Sequence, residues 1–316
     1  MTKLLRIMML LAITGALFGL SLPGLAALSG IDHRWPDVMA QFTAPAFILS
    51  LSFAVTLILL KKNMSAVGAV GVAALSLLAV WPQWTAPMGT PDPAARTVRL
   101  YSANVYYLNN DTDAIRRSIV AADADVVVLI ELGREPAERI DEILAGYPNR
   151  IATLPARHNT GVARTVMASR LPMKQWVPGV QGIHALAGVV ETPWGPLNIV
   201  ATHLTRPWPF QFQWGQINQV AALEKIVKGL NGPVIVAGDF NAVSSARIGR
   251  QIQTDIGLTP APAWPGTWPT AAPSALGVAI DQVWRSPDLA FVSRRLGEPN
   301  GSDHRPVVTE ITRAAR

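Results

Sequence analysis

The chain has no cysteine, and only 15% of its 316 residues are charged. The first absence excludes disulfide stapling, a thiolate-held metal and a thiol nucleophile. No internal repeat or low-complexity tract occurs, so a repeat architecture is excluded as well. The scarcity of charge is uneven. Residues 4–22, 42–60 and 64–80 are almost uncharged apolar runs, each near the length of about 20 residues that crosses a bilayer. Three membrane helices are expected within residues 1–81.

Basic residues give these helices a direction. Lys3 and Arg6 precede the first run and Lys61 and Lys62 separate the second from the third, whereas loop 29–41 has only Arg34 against Asp32 and Asp37. Lys and Arg concentrate on the cytoplasmic side of membrane proteins. The expectation is therefore a multi-pass protein of the inner (plasma) membrane, with everything after the third helix periplasmic or extracellular. The first run, with its basic start and Ala26-Ala27, also fits a cleaved signal peptide, but its length and the two runs behind it favour a retained span. Residues 82–96 carry four prolines and no hydrophobic period. They read as a linker of extended polyproline geometry, with Trp81 and Trp84 suited to the membrane interface.

Residues 97–316 alternate short β-branched runs with helical stretches. Strands are expected at 98–103, 126–130, 165–169, 186–191, 197–202, 234–238, 279–285 and 307–311, and helices at 112–122, 136–144, 216–230 and 244–252. The fold class is α/β, a mixed and layered domain.

Polar residues stand at the ends of the apolar runs in a fixed succession: Asn104 in LYSANVYY, Glu131 in VVVLIELGRE, His203 in NIVATHL, Asp239 and Asn241 in VIVAGDFN, Asp281 in AIDQVW, then Asp303 and His304 in GSDHRP. Any one of these has a plain reading as a strand cap or turn residue. Together they supply carboxylates for a hard metal, histidines for protons and amides for orientation. In this order they resemble the endonuclease/exonuclease/phosphatase superfamily, which includes nucleases, sphingomyelinases and inositol phosphate phosphatases. The resemblance covers about residues 97–312 and implies a four-layered sandwich with two central sheets.

What the resemblance implies for each residue follows. Glu131 would hold Mg²⁺ or Mn²⁺, with Asn104 orienting that carboxylate or contacting the phosphate and Asp303 near the metal. Asp239 would position or deprotonate the attacking water and Asn241 would hold it or the phosphate in line. His203 would donate to the scissile phosphate. Asp281 would be the carboxylate partner of His304, fixing its tautomer and raising its basicity. Sequence leaves open whether His304 or Asp239 is the general base. His33, His158 and His184 read as structural. Arg134, Arg206 and Arg305 adjoin the motifs and are the candidate phosphate contacts.

There are departures. Tyr106 stands where several nucleases have another Asp or Asn, with Asn109 or Asp111 as candidate substitutes, and residues 163–169 keep only a degraded form of the usual strand before Ser169-Arg170. Substrate is less legible. Residues 96–316 hold 22 Lys and Arg against 18 Asp and Glu, which suits a phosphate-bearing partner, an ordinary basic surface or an anionic bilayer. Residues 207–214 (PWPFQFQW) place aromatics at every second position, so that an extended segment would show them on one side, for core packing, for stacking on bases or for a bilayer interface. Three readings stand: a membrane-tethered nuclease, a phosphodiesterase or phosphatase of lipid or sugar headgroups, and a phosphate-binding module without catalysis. The last is disfavoured because every core catalytic position is filled.

Overall fold

The computed structural model describes residues 3–153, 164–176, 179–209 and 212–315. Four helices open the chain: α1 (Lys3–Leu28), α2 (Arg34–Ala40), α3 (Thr43–Leu59) and α4 (Asn63–Trp84). Of these, α1 and α4 are long and apolar enough to cross a membrane, and α2 with α3 qualifies as a third only if the pair, bent by 55°, counts as one span. The shorter α3 and the longer α1 and α4 differ from the expected runs for a local reason. Pro23 and Pro82 are accommodated inside α1 and α4 near their C-terminal ends, whereas the 41–42 corner separates α2 from α3. Ala54, Ala66 and Ala69 fill the contact between the helices together with Leu57, the three alanines being small side chains that let the backbones approach closely.

The remaining described residues fold around two six-stranded sheets. The first contains β1 (Val98–Asn104), β2 (Val126–Ile130), β3 (Asn149–Ala152), β4 (Thr165–Ser169), β11 (Leu289–Leu296) and β12 (Val307–Arg313), in the order β11-β12-β1-β2-β4-β3. The second contains β5 (Met173–Trp176), β6 (His184–Thr192), β7 (Gly195–His203), β8 (Val234–Asp239), β9 (Thr259–Pro260) and β10 (Asp281–Arg285), in the order β5-β6-β7-β8-β10-β9. The alternation of side chains along each strand sorts the core. In β2, Val126, Val128 and Ile130 face the second sheet, where they meet Ile199, Ala201, Ile235 and Ala237. Val127 and Leu129 face outward, against Ile115 and Ile119 of α5 (Thr112–Ala122) and Ile143 of α7 (Ile140–Ile143). On the far side, α8 (Gln213–Lys228) buries Val220, Leu223 and Ile226 against the second sheet. Helix, sheet, sheet and helix make the four layers expected.

Each sheet has one parallel pair at its centre, β1 with β2 and β7 with β8. Their C-terminal ends lie on one edge of the sandwich. The antiparallel neighbours β12 and β10 begin at that same edge, since Ser102 pairs with Val307 and Asp239 with Asp281. Four strand ends and two strand beginnings therefore meet in one place.

Residues 85–97 are not a free tether. They lie along the domain, with Asp92 N–H donating to Arg313 O at 2.9 Å, Phe291 N–H to Met88 O at 2.8 Å, and the Arg313–Asp92 ion pair at 2.7 Å. The helical end is seated on loops of the sandwich as well: Gln83 Nε2 donates to Ser245 Oγ at 2.7 Å, and the Trp84 ring lies 6.0 Å from that of Trp264.

Candidate active site

A cavity of about 650 Å³ opens where the strand ends meet. Asn104, Glu131, His203, Asp239, Asn241, Asp303 and His304 all line it, with Arg206 at its side. Backbone conformation aims several of them. Tyr106, Glu131 and Asn241 each have φ between +48° and +58°, a left-handed conformation that costs a non-glycine residue about 1–3 kcal/mol and persists where surrounding contacts enforce it. β8 ends at Asp239, and a left-handed turn at Asn241, not continued strand alternation, returns the Asn241 side chain to the face of Asp239. Phe240 between them packs into the outer core, its ring 5.8 Å from Trp284.

The amide of Asn104 joins the two sheets. Its Nδ2 donates to Glu131 Oε1 and to Asp239 Oδ2, both at 3.1 Å. Asp239 also accepts the Asn241 N–H at Oδ1, 2.8 Å away. His203 Nε2 lies 3.4 Å from Glu131 Oε1 and 3.8 Å from Asp239 Oδ2, and 3.4 Å from Asn241 Nδ2. Glu131, His203 and Asp239 thus present ligand atoms all within 4.8 Å of one another. Such a group could hold a divalent metal ion, and its two carboxylates are the donors that suit a hard cation such as Mg²⁺ or Mn²⁺.

The second cluster, Asp239, Asp281 and His304, is engaged differently. His304 Nδ1 lies 2.8 Å from Asp281 Oδ2, with both side chains buried. Burial alone would lower the pKa of His304, but the charge and hydrogen bond of Asp281 outweigh it and hold the ring up at about 10. Asp239 is pushed up to about 6 by burial and by the negative charge of Asp281. Ser302 ties this loop to the first sheet, its Oγ donating to Asn104 O at 2.8 Å and accepting His304 N–H at 3.1 Å.

Not every predicted residue arrives. Arg305 points away, its guanidinium donating to the carbonyls of Pro269, Thr270 and Ala272. Arg134 is exposed and pairs with Glu138 at 2.8 Å across one turn of α6 (Arg134–Glu138). Neither lines the cavity, so Arg206 alone remains of the three candidate phosphate contacts. Asn109 and Asp111 do not replace Tyr106 either, for Asn109 bonds Asn300 O and Asp111 caps α5 through Ala114 N–H. His33 caps α2, accepting from Trp35 N–H, as a structural histidine does. His184 sits opposite His203 on β6 and lines the cavity; burial, then the nearby His203, lowers its pKa. His158 lies outside the described residues.

Among its described residues the aromatic run is neither core nor one extended stripe. Trp208 lines the cavity, Phe212 precedes α8 and Trp214 falls inside it, the last two 64% and 65% exposed; Phe210 and Gln211 lie outside the described residues. Three cavity residues carried no sequence signal at all. Trp268 donates from Nε1 to Asp303 Oδ2 at 3.2 Å, and Gln41 and Phe42 reach the cavity from the corner between α2 and α3.

Residues 101–304, more than half the chain, match the Endonuclease/Exonuclease/phosphatase family. The chain belongs to that family. Among solved structures of similar fold, an endonuclease/exonuclease/phosphatase from Beutenbergia cavernae is 21% identical, with a TM-score of 0.55 over 70% of this chain and 72% of its own. The human Nocturnin catalytic domain with bound sulfate is 19% identical, with a TM-score of 0.54 over 71% of this chain and 99% of its own. Beta toxin from Staphylococcus aureus is 15% identical, with a TM-score of 0.51 over 67% and 99%. No curated protein matches by sequence. Members of the family are phosphoesterase hydrolases and generally use divalent metals.

Proposed function

We propose that the protein is a membrane-tethered, divalent-metal-dependent phosphoesterase that hydrolyses its substrate by in-line attack of water, without a covalent intermediate. The observation that carries this is the convergence of Glu131, Asp239, His203 and His304, from four separate stretches of chain, on one cavity. Glu131, with Asn104 against it, would hold Mg²⁺ or Mn²⁺, and Asp303 stands on the same cavity wall. A bound cation supplies Lewis-acid neutralisation of the phosphoryl oxygens.

This chain's own groups do the rest. With its pKa near 6, Asp239 is a carboxylate at neutral pH and sits beside Asn241, which suits it to accept a proton from the attacking water while the Asn241 amide holds that water in line. With its pKa near 10, His304 is a cation at neutral pH, so it acts as a charged donor to the phosphoryl oxygens rather than as the base. His203 donates to the same group, and Arg206 receives the far side of the phosphate.

The placement of the cavity favours a substrate borne by the bilayer. Phe42, the residue before α3, and Gln41 form part of its wall, so the cavity is level with the end of the helical anchor. Arg34 stacks on Trp35 at 4.6 Å and on Phe212 at 5.6 Å, giving that level an exposed aromatic and cationic rim of the kind found at headgroups. A phosphodiester or phosphomonoester of a lipid headgroup is the substrate this supports best. A nuclease acting at the membrane surface is the second reading, favoured by the excess of arginine in residues 96–316. Full-length protein in detergent, with Mg²⁺ or Mn²⁺, assayed against liposomes of sphingomyelin or phosphatidylinositol phosphates, plasmid DNA and a chromogenic phosphodiester separates these. Headgroup release with intact DNA supports the first; DNA cleavage falling steeply with salt supports the second; phosphate binding without turnover of any substrate refutes both. A reporter fused after Arg316 tests the outward topology, which a cytoplasmic signal would overturn.

A further inference from the structure

The helical anchor meets the catalytic domain through buried polar side chains. Asp37, Gln41, Thr43 and Gln83 are each at most 7% exposed, although they belong to the most apolar part of the chain. Burying such groups is costly unless each finds a partner; Thr43 finds its own among the helices, on Ala40 O and Gln83, and the other three reach residues 241–247. Asp37 accepts from the Arg247 N–H at 2.6 Å and from Gln213 Nε2. Gln83 bonds Ser245. Gln41 Nε2 donates to Asn241 O at 3.3 Å. Residues 241–247 are therefore held from the anchor side, and the loop begins with the left-handed residue that turns its side chain into the cavity.

We propose that Gln41 is a positioning residue of the active site, acting through the backbone of Asn241, so that the membrane anchor is a working wall of the site and not only a tether. The carbonyl of Asn241 receives two side-chain amides, Gln216 Nε2 at 3.2 Å from within the domain and Gln41 from the anchor. Fixing that carbonyl fixes the plane of the peptide after Asn241 and restrains the left-handed turn, φ +48°, to which it belongs. Through them it fixes the Asn241 N–H on Asp239 Oδ1 and the Asn241 amide beside His203. Without Gln41 the carbonyl keeps one of its two side-chain donors, and Asn241 and Asp239 lose orientation while Glu131, His203, Arg206 and His304, which Gln41 does not touch, stay in place. The effect belongs on turnover rather than on binding, since misplacement of a reacting group by about 1 Å can lower the rate by about a hundredfold.

The turnover arm of the test rests on the phosphoesterase reading; a second arm does not. Full-length protein in nanodiscs is compared with Gln41→Leu, which keeps the volume and removes the donor, and with Gln41→Glu, which keeps polarity and removes the same donor. Hydrogen–deuterium exchange across residues 239–243 is expected to accelerate about tenfold in both variants while the thermal midpoint stays near that of the wild type. With a chromogenic phosphodiester and Mg²⁺, kcat is expected to fall about tenfold and KM to stay within about twofold. Unchanged exchange in the 239–243 segment overturns the inference, as does a rise in KM with kcat intact. A wild type that shows no metal-dependent turnover sinks the phosphoesterase reading and leaves the exchange measurement to decide on Gln41.

Discussion

Asp281 and His304 form a buried pair, 2.8 Å apart, whose members come from the start of β10 and from the loop before β12. The pairing is possible because β10 runs antiparallel to β8 and β12 antiparallel to β1, which brings the two beginnings to the edge where Asp239 and Asn104 end. Replacing the carboxylate by an amide keeps the shape and removes the charge that holds the ring protonated. Asp281→Asn is expected to lower kcat by roughly 10²–10⁴ and to bring the His304 pKa, followed by NMR, down toward the ordinary imidazole range. A variant with wild-type kcat would remove His304 from the mechanism.

The two raised pKa values set a pH window. Asp239 is raised, so its carboxylate is absent below about pH 6 and present above it. His304 is raised too, so its charged form is present below about pH 10 and lost above it. With Asp239 as base and His304 as charged donor, kcat/KM is expected to climb through the first value, hold between them and fall through the second. Because a cation stabilises the carboxylate, the acid limb should move to lower pH as Mg²⁺ is raised. A profile in which activity rises above pH 10 would reverse the two roles.

Much of this was legible in the residues, and what was not has identifiable causes. The strands over 126–130 and 234–239 announce themselves because both faces of each are buried, which demands an unbroken apolar run. By contrast β11 went unread, since it passes from Leu289-Ala290-Phe291 into Ser293-Arg294-Arg295 across a register shift, and its apolar pattern fails halfway. The short edge strands β3 and β5 are half polar, NRIA and MKQW, as solvated edges are. Sequence neighbourhood misled at Arg305: it follows His304, but successive residues of an extended chain point to opposite sides, and its guanidinium goes to carbonyls of the 269–272 loop. Gln41 and Gln83 gave no warning, because a polar residue between apolar runs reads as solvated until the surface that covers it is seen.

Gly238 joins the two sheets closely. Its φ is +149°, and a Cβ there would stand 1.9 Å from Thr202 O and 2.8 Å from Ile130 Cδ1. The first of these is backbone of the parallel partner β7 and cannot swing aside, and the second belongs to the sheet opposite. Gly238→Ala therefore has to separate β7 from β8 at the positions that deliver His203 and Asp239. It is expected to cost about 3 kcal/mol or more of stability, read from chemical denaturation of the full-length protein. Loss of less than about 1 kcal/mol would mean that the strand ends are looser than this contact implies.

In the proposed reaction, Glu131 is the carboxylate whose removal would separate metal binding from substrate recognition. It stands at the end of β2 in a left-handed conformation with Asn104 Nδ2 on its Oε1, 12–14% of its side chain and that of His203 remaining exposed toward the cavity. Glu131→Gln keeps the hydrogen-bonding shape but takes away a negative charge from a site with few others, and a hard divalent cation depends on that charge. Mn²⁺ binding measured by calorimetry or electron paramagnetic resonance is expected to weaken about 10- to 100-fold, and hydrolysis to fall with it and to recover in part at high Mn²⁺. Chelation of the wild type should abolish turnover, with Mg²⁺ restoring it. Undiminished Mn²⁺ affinity in Glu131→Gln would move the metal to the cluster of Asp239, Asp281 and His304, where Asp281 is already held by the imidazole, and would require that ion pair to open before an ion could bind.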